Sequence, residues 1–143
     1  MPIMRIFICG IIQGSHSELA VHEQSYRQSL SRIIEKHIPG ARIYCPVSLH
    51  PESVTYDDPK AFRVLEESID QARRADLLVA YLPEASMGSA LEMWEAKKAG
   101  VKVIAITPMR HNWVIRYTAD AIVEDIPEFE DLLAGETISR MLQ

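Results

Sequence analysis

Apolar residues fall in short unbroken runs that alternate with longer stretches where they recur every three or four positions, so the chain reads as strands alternating with helices. The run from Arg5 to Cys9, closed by Gly10, predicts a first strand. Glu18 to His37 predicts a helix with Tyr26, Leu30, Ile33 and Ile34 on one buried face, ended by Pro39-Gly40. Ala41 to Cys45 is a second strand. Pro46 to Pro59, rich in Pro, Ser and Asp, is expected to be a long loop without structure of its own, and loops of that length tend to be functional. Pro59 suits the first turn of a helix whose apolar face is Phe62, Leu65, Ile69 and Ala72, and Asp76 to Leu82 follows as a third strand. Ser89 to Ala99 is a helix stopped by Gly100. Val101 to Ile106 is a fourth strand, Ala119 to Val123 a weaker fifth, and Pro127 to Met141 a helical tail broken at Gly135.

Strands that are apolar on both faces must be covered on two sides, which with intervening helices implies a parallel sheet and right-handed crossovers. The expected class is therefore α/β, a doubly wound five-stranded parallel sheet in the order 2-1-3-4-5, forming one domain over residues 1–143. In that order the switch point lies between the first and third strands, so loops 10–17 and 83–89 should face each other across one crevice. They are also the loops most marked by glycine and serine.

Composition narrows the partners. A chain of 143 residues, 48% hydrophobic and 24% charged, has the profile of one ordinary globular domain. Its net charge of -5, with 15 Lys and Arg scattered along the sequence, argues against a nucleic-acid polymer as ligand, since phosphate-backbone affinity needs clustered cations. Cys9 and Cys45 each sit alone in an apolar run, form neither a disulfide framework nor a metal set, and make the cytoplasm the default compartment. No apolar run approaches the roughly 18 residues of a membrane span. The stretch from Ile6 to Ile12 is too short for a signal peptide and lacks a cleavage site.

The chemistry concentrates between Tyr81 and Ala96, where an apolar run ends in a small-residue loop and restarts as a helix carrying Glu92 in its first turn. Two accounts of Glu92 stand side by side. Ser89-Ala90-Leu91-Glu92 fits a capping box, in which serine and glutamate reciprocally satisfy amides of the helix start. Alternatively Glu92 is a nucleophile that attacks a sugar's anomeric carbon through an oxocarbenium-like transition state, leaving a covalent intermediate for water or another acceptor to resolve. Ser86 and Gly88 would offer donors to an anion at the positive end of the helix dipole. In the first loop, Gly10 and Gly14 permit close backbone approach and Ser15 or Ser17 can cap the helix that follows. That loop is neither a Rossmann fingerprint nor a P-loop, and nothing else in the chain calls for a metal or cofactor. Glu95 reads as a solvated charge or a partner for Lys98.

Gly10 with its Gly/Ser loop, the stretch Arg74-Ala75-Asp76-Leu77-Leu78-Val79-Ala80, and Ser86-Met87-Gly88-Ser89-Ala90-Leu91-Glu92 resemble the nucleoside 2-deoxyribosyltransferase superfamily, which includes the 2'-deoxynucleoside 5'-monophosphate N-hydrolases and related nucleotide N-glycosidases. The resemblance spans roughly Arg5 to Asp120 and is sharpest in the loop leading to the glutamate. It implies a flavodoxin-like fold, Glu92 as nucleophile, and a homodimer or higher homo-oligomer in which a neighbouring subunit completes each site. Six residues before the glutamate, the family's transferases on free nucleosides have Asp and its monophosphate hydrolases have Ser; Ser86 resembles the hydrolases, since a serine donates to a phosphate that an aspartate would repel. By the same resemblance Ser17 is a second phosphate contact, and Asn112, within Arg110-His111-Asn112-Trp113, falls near the adjacent subunit's site. The family's active-site aspartate aligns with Ser68. Either another group protonates the leaving base, with His50 placed to fit over it and His16 the other candidate, or the activity has drifted. The implied function is an N-glycosidase of nucleoside or deoxynucleoside 5'-monophosphates; the alternatives are base exchange between nucleosides and a nucleotide-binding or sensing protein with weakened catalysis.

Overall fold

The computed structural model, which describes residues 3–10 and 25–143 apart from the side chains of Val47 and Ser48, sets five short strands side by side: β1 (Arg5–Gly10), β2 (Arg42–Tyr44), β3 (Leu77–Tyr81), β4 (Lys102–Ile106) and β5 (Ala121–Val123). Every pairing is parallel and the order is β2-β1-β3-β4-β5, the doubly wound flavodoxin-like arrangement expected from the alternating pattern. Successive side chains of a strand point to opposite faces, and the core divides accordingly. Ile6, Ile8, Leu77, Val79, Ile104 and Ile106 share one cluster with Leu30, Ile34 and Phe129, whereas Phe7, Cys9, Leu78, Ala80, Val103 and Ala105 share the other with Ala72, Met93 and Ile115. Residues buried on both sides of the sheet are what made the strands legible as unbroken apolar runs.

The helices are α1 (Tyr26–His37), α2 (Pro46–Leu49), α3 (Asp58–Arg74), α4 (Met87–Lys98), α5 (Trp113–Thr118), α6 (Ile126–Ala134) and α7 (Thr137–Met141). The helix expected from Glu18 is described from Tyr26 onward, and its earlier residues lie outside the described part of the chain. Two expectations are corrected. The stretch 46–59 is not a bare loop: Pro46, with its preset backbone angle, opens α2 directly after extended Cys45, and a short 3-10 turn covers Ser53–Thr55. Both pieces are too short to show a period. In α3 the apolar spacing does not mark one buried face, because Phe62 and Leu65 are exposed while Ser68 and Ala72 are buried. The early turns of α3 border an open crevice, lined by Ala61, Val64, Leu65 and Ser68, so apolar residues there wall a cavity.

The register levels the C-terminal ends of the central strands, Gly10 opposite Tyr81 and Tyr81 opposite Ile106. The chain segments leaving β1 and β3 therefore start side by side, at the place where such sheets bind ligands. Among the described residues no helix is long and apolar enough to cross a membrane.

Candidate functional site

The start of α4 removes the capping-box account of Glu92. Ser86, not Ser89, is the N-cap: its backbone is extended and its hydroxyl oxygen accepts from the Ser89 amide at 3.3 Å. Helix α4 consequently begins two residues earlier than expected. Glu92 then lies in its second turn, beyond the third helical position that a capping-box glutamate occupies. Helical side chains lean toward the N-terminus, and Glu92 does so, its Oε1 lying 3.9 Å from where a Cβ on Gly88 would stand. The residue is 8% exposed, and its Oε2 has no hydrogen-bond partner among the described residues.

Glu92 lines a crevice of about 450 Å³, within the range of small-molecule sites. One wall is the start of α4, with Ser86, Gly88 and Ser89; the opposite wall is the early part of α3 and the segment before it, with His50, Ser53, Tyr56, Asp58 and Ser68. The amides of Met87 and Gly88 belong to the first turn, where a helix has no internal partner for them and the dipole favours an anion. The crevice thus joins a buried carboxylate to an anion-favouring helix start.

Burial raises the Glu92 carboxyl from 4.5 to about 8, and the Arg27 guanidinium partly offsets that rise. Arg27 is itself buried and donates from Nη1 to the Ile8 carbonyl at 3.3 Å and to Cys45 Sγ at 3.2 Å. Burial and the Glu92 charge likewise push the Cys9 thiol up, and burial followed by the Glu67 carboxylate pushes up the Tyr44 phenol. The hydroxyls of Ser89, Tyr44 and Tyr26 join Glu92 Oε2 as buried polar atoms without a partner among the described residues. Such atoms are rare in a packed interior. Together with a strongly shifted carboxyl that lines a crevice, they make this the candidate functional site.

The expected site residues divide three ways. Glu92, Gly10, His50, Ser86 and Gly88 all line the crevice. Gly14, Ser17 and His16 lie outside the described residues. Asn112 is elsewhere: it caps α5, its Oδ1 accepting from the Val114 amide at 2.9 Å and the Ile115 amide at 3.3 Å, and it borders a neighbouring shallow depression with Met87, Ala90 and Val114. Gly10 has a structural reason of its own, since a Cβ there would collide with the Tyr26 hydroxyl and come within 2.8 Å of the Tyr81 carbonyl oxygen. Tyr26 is core, as its helical face predicts. Arg110 faces Glu124 and Glu128 at 3.9 and 3.7 Å, and Glu95 pairs with Arg73 at 3.1 Å and Lys98 at 3.6 Å.

Sequence reasoning missed Arg27, Tyr56 and Asp58. Tyr56 holds His50, with Tyr56 Oη and His50 Nδ1 3.1 Å apart, and carries Lys60 Nζ 4.0 Å from its ring centre. An Asp57-Asp58-Pro59 helix start accounts for acids there through capping alone, so only the fold reveals that Asp58 borders the crevice. Among the described residues no group of three or more His, Cys, Asp or Glu is placed to hold a metal ion.

No family model matches the chain. Over 90 residues, 62% of its length, it is 30% identical to malpinin synthetase of Mortierella alpina, of which it spans 1%. In fold it is similar to a 2-deoxyribosyltransferase from the psychrotolerant bacterium Bacillus psychrosaccharolyticus, with a TM-score of 0.64 and 14% identity, covering 89% of this chain and 90% of that one. It is similar also to a conserved protein of Enterococcus faecalis V583, with a TM-score of 0.64 and 21% identity, covering 97% and 99% of the two chains. At these identities the likeness is one of fold.

Proposed function

We propose that the chain is a nucleotide N-glycosidase of the nucleoside 2-deoxyribosyltransferase kind, releasing the base from nucleoside or deoxynucleoside 5'-monophosphates with Glu92 as nucleophile. The observation that carries this reading is the buried Glu92 carboxyl, one oxygen without a partner among the described residues, lining a crevice together with the start of its own helix. The fold likeness to a 2-deoxyribosyltransferase supports it. In the first step ionised Glu92 forms a bond to C1' as the bond from C1' to the base nitrogen breaks, and the departing base takes a proton from His50. Water then adds to C1' and gives up a proton to His50, the ester to Glu92 breaks, and the carboxylate is regenerated. The Ser86 oxygen already accepts from the Ser89 amide, so its O–H is the part that donates to a phosphate, beside the Met87 and Gly88 amides. Ser17 and Gly14, outside the described residues, are kept in this reading as candidate contacts for the same phosphate.

The test is incubation with a panel of ribo- and deoxyribonucleotides and chromatography for free base. Base should appear, and Glu92→Ala should slow its release by on the order of a thousandfold or more while nucleotide binding persists. If the protein binds nucleotides but releases no base from any of them, the second reading takes over: a binding or sensing protein. Ser68 in place of a second acid, and a carboxyl that burial holds protonated at neutral pH, are the observations favouring that alternative. An added acceptor base that speeds sugar consumption and is recovered as a nucleotide would instead make the protein a transferase.

A homodimer or larger homo-oligomer is part of the proposal. Met87, Leu91, Trp94, Trp113, Val114 and Tyr117 are exposed on α4 and α5, and the Trp94 and Tyr117 rings lie 5.4 Å apart. This face includes Met87, which also lines the crevice, and borders Asn112. Apolar surface of that kind usually marks an interface. Trp94→Glu should shift the sedimenting species to a monomer and lower base release with it; a variant that keeps the wild-type sedimentation would remove this face from the assembly. The compartment that fits two buried cysteines not joined in a disulfide is the cytoplasm.

A further inference from the structure

The wall opposite α4 has more chemistry than holding a sugar and phosphate requires. Val54, Ala61, Val64 and Leu65 give it the apolar surface that suits a flat ring. Of its polar groups, His50 and Tyr56 are joined to each other. Asp58 is different. Its neighbour Asp57 accounts for the helix cap, accepting from the Lys60 amide at 3.0 Å, and Lys60 itself is engaged over the Tyr56 ring. The dipole of α3 favours an acid at this first turn, and the exposed Asp58 side chain has no hydrogen bond or ion pair among the described residues, so its carboxylate is open to a ligand in the crevice that it lines together with buried Glu92.

We infer that Asp58 reads the base, and that the base it selects is guanine. This rests on the glycosidase reading for the presence of a nucleotide in the crevice. An ionised carboxylate only accepts hydrogen bonds, through two oxygens set to receive parallel donors. Guanine presents such a pair, N1–H beside the N2 amino group. Adenine and cytosine place an acceptor nitrogen next to their amino group, and uracil and thymine flank N3–H with two carbonyl oxygens. Each of these sets a lone pair against a carboxylate oxygen, which rejects the base as effectively as the guanine pairing attracts it.

The experiment separates base reading from turnover. Calorimetric binding of dGMP, dAMP, dCMP and dUMP is measured on the Glu92→Gln protein with and without Asp58→Asn, and base release from the same four on the wild type and on Asp58→Asn alone. Glu92→Gln should bind dGMP on the order of 30-fold more tightly than the others, and Asp58→Asn should bring dGMP down to their level while leaving theirs within about threefold. Release should follow the same order. No guanine preference, an equal loss across all four nucleotides, or no binding of any of them overturns the assignment. A guanine preference that Asp58→Asn removes, with no base released by the wild type, upholds the role of Asp58 and overturns the glycosidase reading.

Discussion

Glu92→Gln should abolish base release and, at alkaline pH, make the protein more stable. Both effects come from the same carboxyl. Burial holds its proton affinity at about 8 against 4.5 in the ordinary range, so between those values the folded chain binds a proton that the unfolded chain has lost. Stability therefore falls as pH rises through that window, the reverse of a salt-bridged carboxylate, and by pH 8 the accumulated loss is roughly 5 kcal/mol at about 1.4 kcal/mol per pH unit. An amide does not titrate. The melting temperature of Glu92→Gln relative to wild type should climb between pH 4.5 and 8.5, by roughly 10 to 15 °C for a domain of this size. Base release by the wild type should move the other way on the acid side, kcat/KM rising with pH because in the proposed mechanism only the ionised form of Glu92 attacks C1', and it should turn down at the alkaline end, where His50 no longer carries the proton that the base takes. Melting curves of the two proteins that shift in parallel with pH would show that Glu92 does not carry a buried proton. An activity that already declines with pH on the acid side would make the protonated form the working one and remove its role as nucleophile.

The opposition between the two curves explains why the surroundings of Glu92 look poorly satisfied. A carboxylate surrounded by donors would be stable, with its charge already neutralised and its oxygens occupied. Here Oε2 and the hydroxyls of Ser89 and Tyr44 are buried without partners among the described residues, and the described cation acting on Glu92 is Arg27, which also donates to a strand carbonyl and a thiol. On the proposed reading, the fold tolerates a site whose hydrogen-bonding capacity is kept for a ligand. Binding of a nucleotide monophosphate should consequently raise the melting temperature, in the usual relation of ligand concentration to affinity.

What the sequence revealed follows from how each feature is encoded. Strands buried on both faces leave unbroken apolar runs, and Leu77 to Ala80 could hardly be read otherwise. The strand order followed from connection lengths and handedness. The segment from Ser86 to Glu92 stood out because an apolar run, a small-residue loop and a helix occur in succession. Its first turn was misjudged: Gly88 is a poor helix former, so Ser89 looked like the boundary, yet extended Ser86 is the residue whose hydroxyl reaches the amide three positions on. Features that depend on distant packing left no trace. Phe62 and Leu65 have the spacing of a core face but border solvent and crevice, because α3 meets the sheet only farther along. Arg27 follows Tyr26 on a helix where a charged residue reads as solvent-facing, and only the closeness of β1 and Cys45 shows that it is buried.

Gly10→Ala should be among the most damaging single-methyl changes in the chain. A Cβ there would run into the Tyr26 hydroxyl, lie 3.0 Å from the ring carbon bearing it, and sit 2.8 Å from the Tyr81 carbonyl oxygen across the β1–β3 register. The tyrosine ring cannot swing away freely, because it stacks on Tyr81 at 4.3 Å and is buried. Overpacking of this kind costs about 2 to 4 kcal/mol, read as a lower urea midpoint. Because Gly10 also lines the crevice beside Glu92, displacement of the strand end should lower base release as well. Tyr26→Phe tests the cause. The hydroxyl it removes has no partner among the described residues, so alone it should leave stability within about 1 kcal/mol of wild type or raise it. Combined with Gly10→Ala it should recover about 1 to 2 kcal/mol of the loss through a coupling between neighbours. Recovery must stay incomplete, since the Tyr81 carbonyl is backbone and remains in place. Strict additivity of the two substitutions would mean that the tyrosine hydroxyl does not require the glycine, and that Gly10 is held by the approach of a ligand to the crevice instead.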